Sequence, residues 1–260
     1  MTFRRFKVIF SRKYYFIDKI TPHRGKCQWR KAVSGAILIK ILVTAAGWRK
    51  NRGHPVSTAL IDYDMGNLGS VAKALDFLGA KCEIVGDAAE LERFDGCILP
   101  GVGNFGDGME ALRSRGFDRK IIEFINSGKP FLGICLGMQM LLEESEESPG
   151  VRGLALFPGK VKRFRLDNLK VPHIGWNAVA TDASSPLMGG LNCEEFFYFV
   201  HSYYVDAATP GCVATCVYGH VFAAALGRGN CFATQFHPEK SQRPGLRLLK
   251  NFLTVAGEVS

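Results

Sequence analysis

No two cysteines in this 260-residue chain are spaced as C-x-x-C, although it holds eight, at positions 27, 82, 97, 135, 193, 212, 216 and 231. That spacing excludes zinc-ribbon, zinc-finger and dithiol redox signatures, and no metal or other cofactor is expected. Several cysteines fall in strand-like runs such as "KCEIV" and "GCVATCV". They read as reduced core thiols of a cytoplasmic protein. Nor is there an apolar run fit to span a bilayer, because the stretch Ala36 to Gly47 is short and interrupted by Lys40. No membrane partner is therefore expected, and no internal repeat or interdomain linker is visible.

Acidic residues are nearly missing from one region alone. Residues 1–55 carry 14 Lys/Arg against the single acid Asp18, which leaves 19 basic and 23 acidic residues in 56–260. The formal net charge of +9 thus belongs to the N-terminal segment, and a mildly acidic body offers no basic nucleic-acid face. Serine is scarce in that segment, against a transit peptide, and its apolar run starts too late for a signal peptide. We expect the fold to begin at Val56, whose codon could be a GTG start. Residues 1–55 would then be a basic extension outside the native fold, and 56–260 one domain. A targeting segment and a genuine basic arm are the alternatives.

From residue 56 onward, β-branched runs alternate with amphipathic helical segments. "STALIDY" reads as a buried strand, and "NLGSVAKALDFLGA" as a helix with Leu68, Val71, Ala72, Leu75 and Leu78 on one face. Then come the strand "KCEIV", the helical turn "DAAELERF", the strand "GCILP" and a helix broken near Gly116. The strand "KPFLGI" and the helix "CLGMQMLLEESEE" follow. Beyond Gly153 the pattern is mostly strands, closed by the helix "PGLRLLKNFLTVA". This predicts an α/β fold: a doubly wound, mostly parallel sheet flanked by helices, with a mostly antiparallel strand region in the C-terminal half. Lys160, Lys162, Arg163 and Arg165 read as a solvated strand face.

Three segments carry chemistry. In Gly133-Ile134-Cys135-Leu136-Gly137 a strand ends and a helix begins around one thiol, the nucleophile-elbow pattern. The helix N-terminus would favour the thiolate, and the Leu136 amide would point at an oxyanion formed by Cys135. In "TQFHPEKS", Pro238 biases His237 toward extended backbone, so His237 and Glu239 would project to one side. The pair supplies the base and orienter that a cysteine nucleophile needs. In "LPGVGNFGDG", Gly101, Gly103 and Gly106 match the dinucleotide fingerprint. The loop follows the third strand of the body, however, and the residues about 20 further on are helical, which argues against that use. Beside an elbow it would donate a backbone amide instead.

On these segments, with "IDYDMGNLGSV", "VPHIGWN" and "YFVHSYYV", the chain resembles the class I (triad) glutamine amidotransferases. Within them it is similar to the glutaminase subunits of imidazole glycerol phosphate synthases, from about Leu60 to Leu253. Asp64 and Ala233 stand where that family usually has glycine, and residues 1–55 have no counterpart. The resemblance implies that Cys135 attacks glutamine, with His237 as acid–base and Glu239 as orienter. It places Gly101, Val102, Gly103 and Leu136 at the oxyanion hole. It also places Gln139, Glu147, His201, Ser202 and Tyr203 at the glutamine, and Trp176, Asn177 and Tyr198 toward a partner. That partner would be a separate (β/α)₈-barrel cyclase chain, completing a heterodimer. The ammonia it receives would go into imidazole glycerol phosphate and an aminoimidazole carboxamide ribonucleotide in histidine biosynthesis. The alternatives are the glutaminase of another class I amidotransferase, a non-catalytic binding module on the same fold, and a thiol protease or esterase.

The intact mass of the natively expressed protein tests the start site. We expect a mass that excludes residues 1–55, and a mass that includes them overturns the assignment.

Overall fold

Short apolar runs between polar turns become strands buried on both faces. The computed structural model describes residues 57–259 and the segments Phe6–Phe10 and Lys13–Ile17. The chain divides into two units, Met1–Pro55 and Val56–Ser260. In the first, β1 (Phe6–Phe10) and β2 (Lys13–Ile17) pair antiparallel, with Phe6 opposite Ile17. Cys27, the run 36–47 and the expected start at Val56 lie outside the described residues.

The second unit opens with β3 (Thr58–Ile61), α1 (Leu68–Phe77), β4 (Cys82–Val85) and β5 (Gly96–Gly101). Helices α2 (Phe105–Ser114) and α3 (Phe117–Asn126) lead to β6 (Phe131–Cys135) and the short α4 (Leu136–Gln139). Then come β7 (Glu144–Ser145), β8 (Lys160–Arg163), β9 (His173–Thr181), β10 (Glu194–His201) and β11 (Tyr203–Asp206). Last are β12 (Cys212–Tyr218), β13 (His220–Arg228), β14 (Cys231–Thr234) and α5 (Gln242–Ala256).

Strands β4, β3, β5, β6 and β14 lie side by side, all parallel, and the same sheet continues antiparallel through β13, β12, β9 and β10. The expected fold class holds, and its antiparallel region is an extension of the one sheet. Every residue of β3, β5, β6 and β14 is buried, as strands covered on both faces must be. Alternate residues feed two cores. Ala59, Ile61, Cys97, Leu99 and Phe131 pack with Phe105, Met109, Phe117 and Ile121 of α2 and α3. Leu60, Ile98, Leu132 and Ile134 pack with Val71 and Leu75 of α1 and Leu248, Phe252 and Leu253 of α5.

The break between α2 and α3 falls at Gly116, which takes φ +74°. The expected basic face on β8 is solvated and paired: Lys160 meets Glu144, Lys162 meets Asp206 and Arg165 meets Glu146. One expected element is different. "CLGMQMLLEESEE" forms four residues of α-helix, not a long one. After Gln139 its carbonyls turn outward to other segments, Met140 accepting from Leu154 N–H and Leu141 from Leu156 and Phe157 N–H. Tertiary partners thus replace the i→i+4 ladder, and the apolar residues Met140, Leu141 and Leu142 are buried without a helix.

The glycines flanking Cys135 serve close approach. A Cβ on Gly133 would lie 2.7 Å from the Gly137 carbonyl oxygen, and one on Gly137 would overlap the Leu99 carbonyl. Since backbone atoms cannot swing aside, Gly137→Ala should cost about 3 kcal/mol. Gly69→Ala in α1, which meets open space, should be neutral or slightly stabilising. Denaturant midpoints of the two variants check this pair.

Candidate active site

Strand alternation would send Cys135 to the same face as Phe131. Instead φ +56° and ψ −106° turn its thiol to the opposite core, beside Ile134. That backbone conformation is strained for a non-glycine residue and is held by the elbow around it. Because β14 runs parallel to β6, with Thr234 opposite Ile134, the chain leaving β14 emerges next to the elbow.

His237 is extended, at φ −97° and ψ 98°, as the following proline requires. Its Nδ1 lies 2.8 Å from Glu239 Oε1. The approach differs from the expected strand alternation: Pro238–Lys240 is a 3₁₀ turn that folds Glu239 back onto the ring. All three groups are shielded, Cys135 being 7% exposed and His237 2%. His237 Nε2 has no hydrogen-bond partner of standard geometry, and the side chain next to it is Cys135. Burial alone would lower the pKa of His237. Interaction with Cys135 and Glu239 outweighs it and pushes the imidazole up to about 10. Positive charge beside the sulfur therefore comes from this imidazolium, and a four-residue α4 adds little dipole of its own.

The loop 101–103 crosses a narrow crevice lined by Asn67, Pro100, Gly101, Val102, Ile134, His237 and Glu239. Gly101 packs so tightly that a Cβ would lie 2.8 Å from Leu136 Cβ. Gly103 takes φ +101°, and Val102 N–H donates to the Met65 carbonyl at 3.2 Å, so that amide is engaged. Leu136, the first residue of α4, has an N–H with no acceptor inside the helix.

The other expected residues are distributed unevenly. Gln139 is buried, its Nε2 donating to the Tyr203 carbonyl at 3.2 Å and to Gln235 Oε1 at 3.0 Å. Glu147 accepts from Phe105 N–H at 2.8 Å at the start of α2. Burial raises its pKa against that bond. His201 Nδ1 donates to the Tyr203 carbonyl at 2.7 Å, and the Ser202 carbonyl accepts from Phe164 N–H. Trp176 and Tyr198 sit opposite each other on β9 and β10, ring centroids 6.2 Å apart. Ile174, Phe196 and Val200 extend their exposed apolar face. Asn177 points the other way, as the next residue on a strand must, and bonds His173 and the Val217 carbonyl.

Two further residues join the site. Gln235 is fully buried and donates from Nε2 to Cys135 Sγ at 3.8 Å. It lies within "TQFHPE", two residues before His237, and as a single uncharged amide it carries no local signal in the sequence. Tyr63, in "IDYDMGN", has a buried hydroxyl without a partner, and both burial and Cys135 raise its pKa. The departures from glycine are accommodated. Asp64 adopts φ +67° and forms an ion pair with Arg115, and Ala233 is buried in β14.

A thiol on a strained elbow lies beside a buried His–Glu pair at the carboxyl ends of parallel strands, an arrangement suited to a cysteine nucleophile. The profile of the class I glutamine amidotransferases matches residues 59–256, and the chain belongs to that family. Within it, the chain is similar to proteins named imidazole glycerol phosphate synthase subunit HisH. The one from Rhodopirellula baltica is 51% identical over 204 residues, covering 77% of this chain and 98% of that relative. Those from Pseudomonas putida and Methanosarcina barkeri are 49% and 48% identical, over 77% and 75% of this chain and 98% and 97% of theirs. Among solved structures, a glutamine amidotransferase superposes with TM-score 0.62 at 21% identity, covering 76% of this chain and 98% of its own. PurLQS from Thermotoga maritima gives 0.59 at 20%, covering 77% and 99%. These two share the fold.

The raised pKa of His237 has a sign that stability measurements can read. A histidine whose pKa lies above its unfolded value of about 6.5 stabilises the fold below that pH and loses the contribution as pH rises through about 10. The denaturant midpoint of the wild type should therefore fall more between pH 6.5 and 10 than that of His237→Asn. Parallel pH dependence of the two would contradict the assignment.

Proposed function

We propose that the chain is the glutaminase subunit of an imidazole glycerol phosphate synthase, releasing ammonia from glutamine through Cys135, His237 and Glu239. The observation that carries the reading is the meeting of a strained thiol with a buried, Glu239-bound imidazole whose protonated form is favoured. Together they supply a nucleophile and a proton donor at one point.

In this reading the Cys135 thiolate attacks the carboxamide carbon and a tetrahedral oxyanion forms. The Leu136 N–H is placed to donate to it. Val102 N–H, held by the Met65 carbonyl, could serve as a second donor only after the loop moves. One such donor is worth roughly 3 kcal/mol in the transition state. The C–N bond then breaks as His237 delivers its proton to the departing nitrogen, which leaves ammonia and a glutamyl thioester. Water attacks the thioester as His237 takes back a proton, and glutamate leaves with the thiolate restored. Glu239 fixes the imidazole tautomer throughout. Gln139, Glu147, His201, Ser202 and Tyr203 are proposed around the glutamine, supported for Gln139, His201 and Tyr203 by the hydrogen bonds that link them to Gln235 beside Cys135. The cyclase is proposed to cover the exposed apolar face of Ile174, Trp176, Phe196, Tyr198 and Val200, whose aromatic content suits an interface. No helix among the described residues is long and apolar enough to cross a membrane, which fits the proposed cytoplasmic location.

Ammonia release from glutamine tests this directly. Cys135→Ala should lower the rate at least about a thousandfold. The wild type alone should be slow, and the cyclase with its nucleotide should raise the rate strongly. Equal rates with and without the partner would reject the coupling.

A further inference from the structure

A line of buried polar groups leads away from the nucleophile, and its hydrogens can be placed in only one way. The Tyr203 carbonyl can only accept, yet it faces His201 Nδ1 at 2.7 Å and Gln139 at 3.2 Å. His201 Nδ1 must therefore carry a hydrogen, and Gln139 must present its amide nitrogen. Each choice forces the next.

Along one arm, burial lowers the pKa of His201 to about 3, so the ring is neutral and its Nε2 is an acceptor. The group facing that nitrogen at 2.9 Å is His173 Nδ1, which must then donate. Burial also keeps His173 neutral, with a pKa near 4, so its Nε2 accepts from Asn177 Nδ2 at 3.2 Å. The second hydrogen of that amide goes to the Val217 carbonyl at 3.0 Å, and Asn177 Oδ1 accepts from Ala178 N–H. The His173 ring is held in plane by stacking on Tyr218 and Phe199, with centroids 4.0 and 4.8 Å away.

Along the other arm, the remaining Gln139 hydrogen goes to Gln235 Oε1 at 3.0 Å. That contact fixes the orientation of the Gln235 amide and leaves its Nε2 facing Cys135 Sγ at 3.8 Å. An N–H held toward sulfur lowers the energy of the thiolate more than that of the thiol.

Resting on the function proposed above, we infer that Gln235 donates to the reacting sulfur of Cys135. We infer also that it is held there by two hydrogen-bond arms that converge on the Tyr203 carbonyl, one donating from Asn177 through His173 and His201, the other from Gln139, whose second hydrogen holds Gln235. The arms are long in sequence but continuous in space, and the first begins at a half-exposed residue next to Trp176. If Asn177 loses its amide, His173 is free to change tautomer. Two lone pairs then meet between His173 and His201, which loosens His201 from the carbonyl that orients Gln139. Gln235 touches the reacting sulfur itself by this reading, and Asn177 is a positioning residue that acts on the sulfur through it.

The test is the rate of Cys135 alkylation by iodoacetamide as a function of pH, with the modified residue identified by mass spectrometry. In Gln235→Leu the midpoint of the pH–rate profile should move up by about one unit, a roughly tenfold slower reaction below the midpoint. In Asn177→Leu it should move the same way by a smaller amount, two- to threefold in rate, with thermal unfolding close to wild type. A structural role alone would lower stability and leave the midpoint in place. Profiles superimposed on wild type in both variants overturn the proposal. If Gln235→Leu does not fold, an unshifted Asn177→Leu profile overturns it by itself. Wild-type ammonia release, measured alongside with the cyclase and its nucleotide, separates the two claims: its absence refutes the glutaminase reading, while the midpoints still judge the hydrogen-bond arms.

Discussion

The parallel pairing of β14 with β6 is the contact on which the site depends. Thr234 lies opposite Ile134, so the chain ends of the two strands emerge together, one into the elbow and the other into His237. A slip of one residue would exchange the faces of every β14 side chain. Phe232, which packs in the α1/α5 core, would be sent to the α2/α3 side, where Cys231 and Ala233 now pack. The apolar pattern of one short strand thus fixes the register, and the register fixes where the imidazole meets the thiol. Gln235 bridges the same seam, reaching Cys135 across a sequence separation of 100 residues.

Burial does more at this site than exclude water. It lowers the pKa of all three histidines around Tyr203 and Cys135, and their partners decide the outcome. His173 and His201 have no carboxylate beside them, so desolvation keeps them neutral. His237 is as deeply placed, but a carboxylate and a sulfur on either side favour its charged form. One fold therefore holds two neutral imidazoles that relay direction and one charged imidazole suited to proton transfer. Along the edge of the same narrow crevice, the Val102 N–H is engaged by the Met65 carbonyl.

Much of this was legible in the chain. The strands β3, β5 and β6 read as buried because they are unbroken apolar runs, and α2 and α3 separate at the glycine that takes positive φ. The elbow and the His–Pro–Glu segment stood out because each carries local chemistry within a few residues. The segment after Cys135 has helical spacing but forms no long helix, because its carbonyls are taken by 154–157. Glu239 reached His237 by a turn rather than by strand alternation. Gln235, Tyr63 and His173 passed unnoticed as single polar residues in apolar surroundings, with nothing nearby in sequence to mark them.

By itself, the sequence determined what depends on near neighbours: the strand–helix alternation, the glycines that permit a tight elbow, and the extended backbone before Pro238. It also determined the family, since those local motifs recur in it. Only the tertiary structure decided which ionisable groups are charged, which way each amide faces, and that Val102 is engaged by Met65. Those properties depend on desolvation and on partners brought from distant segments, and no local pattern of residues encodes a distance between them.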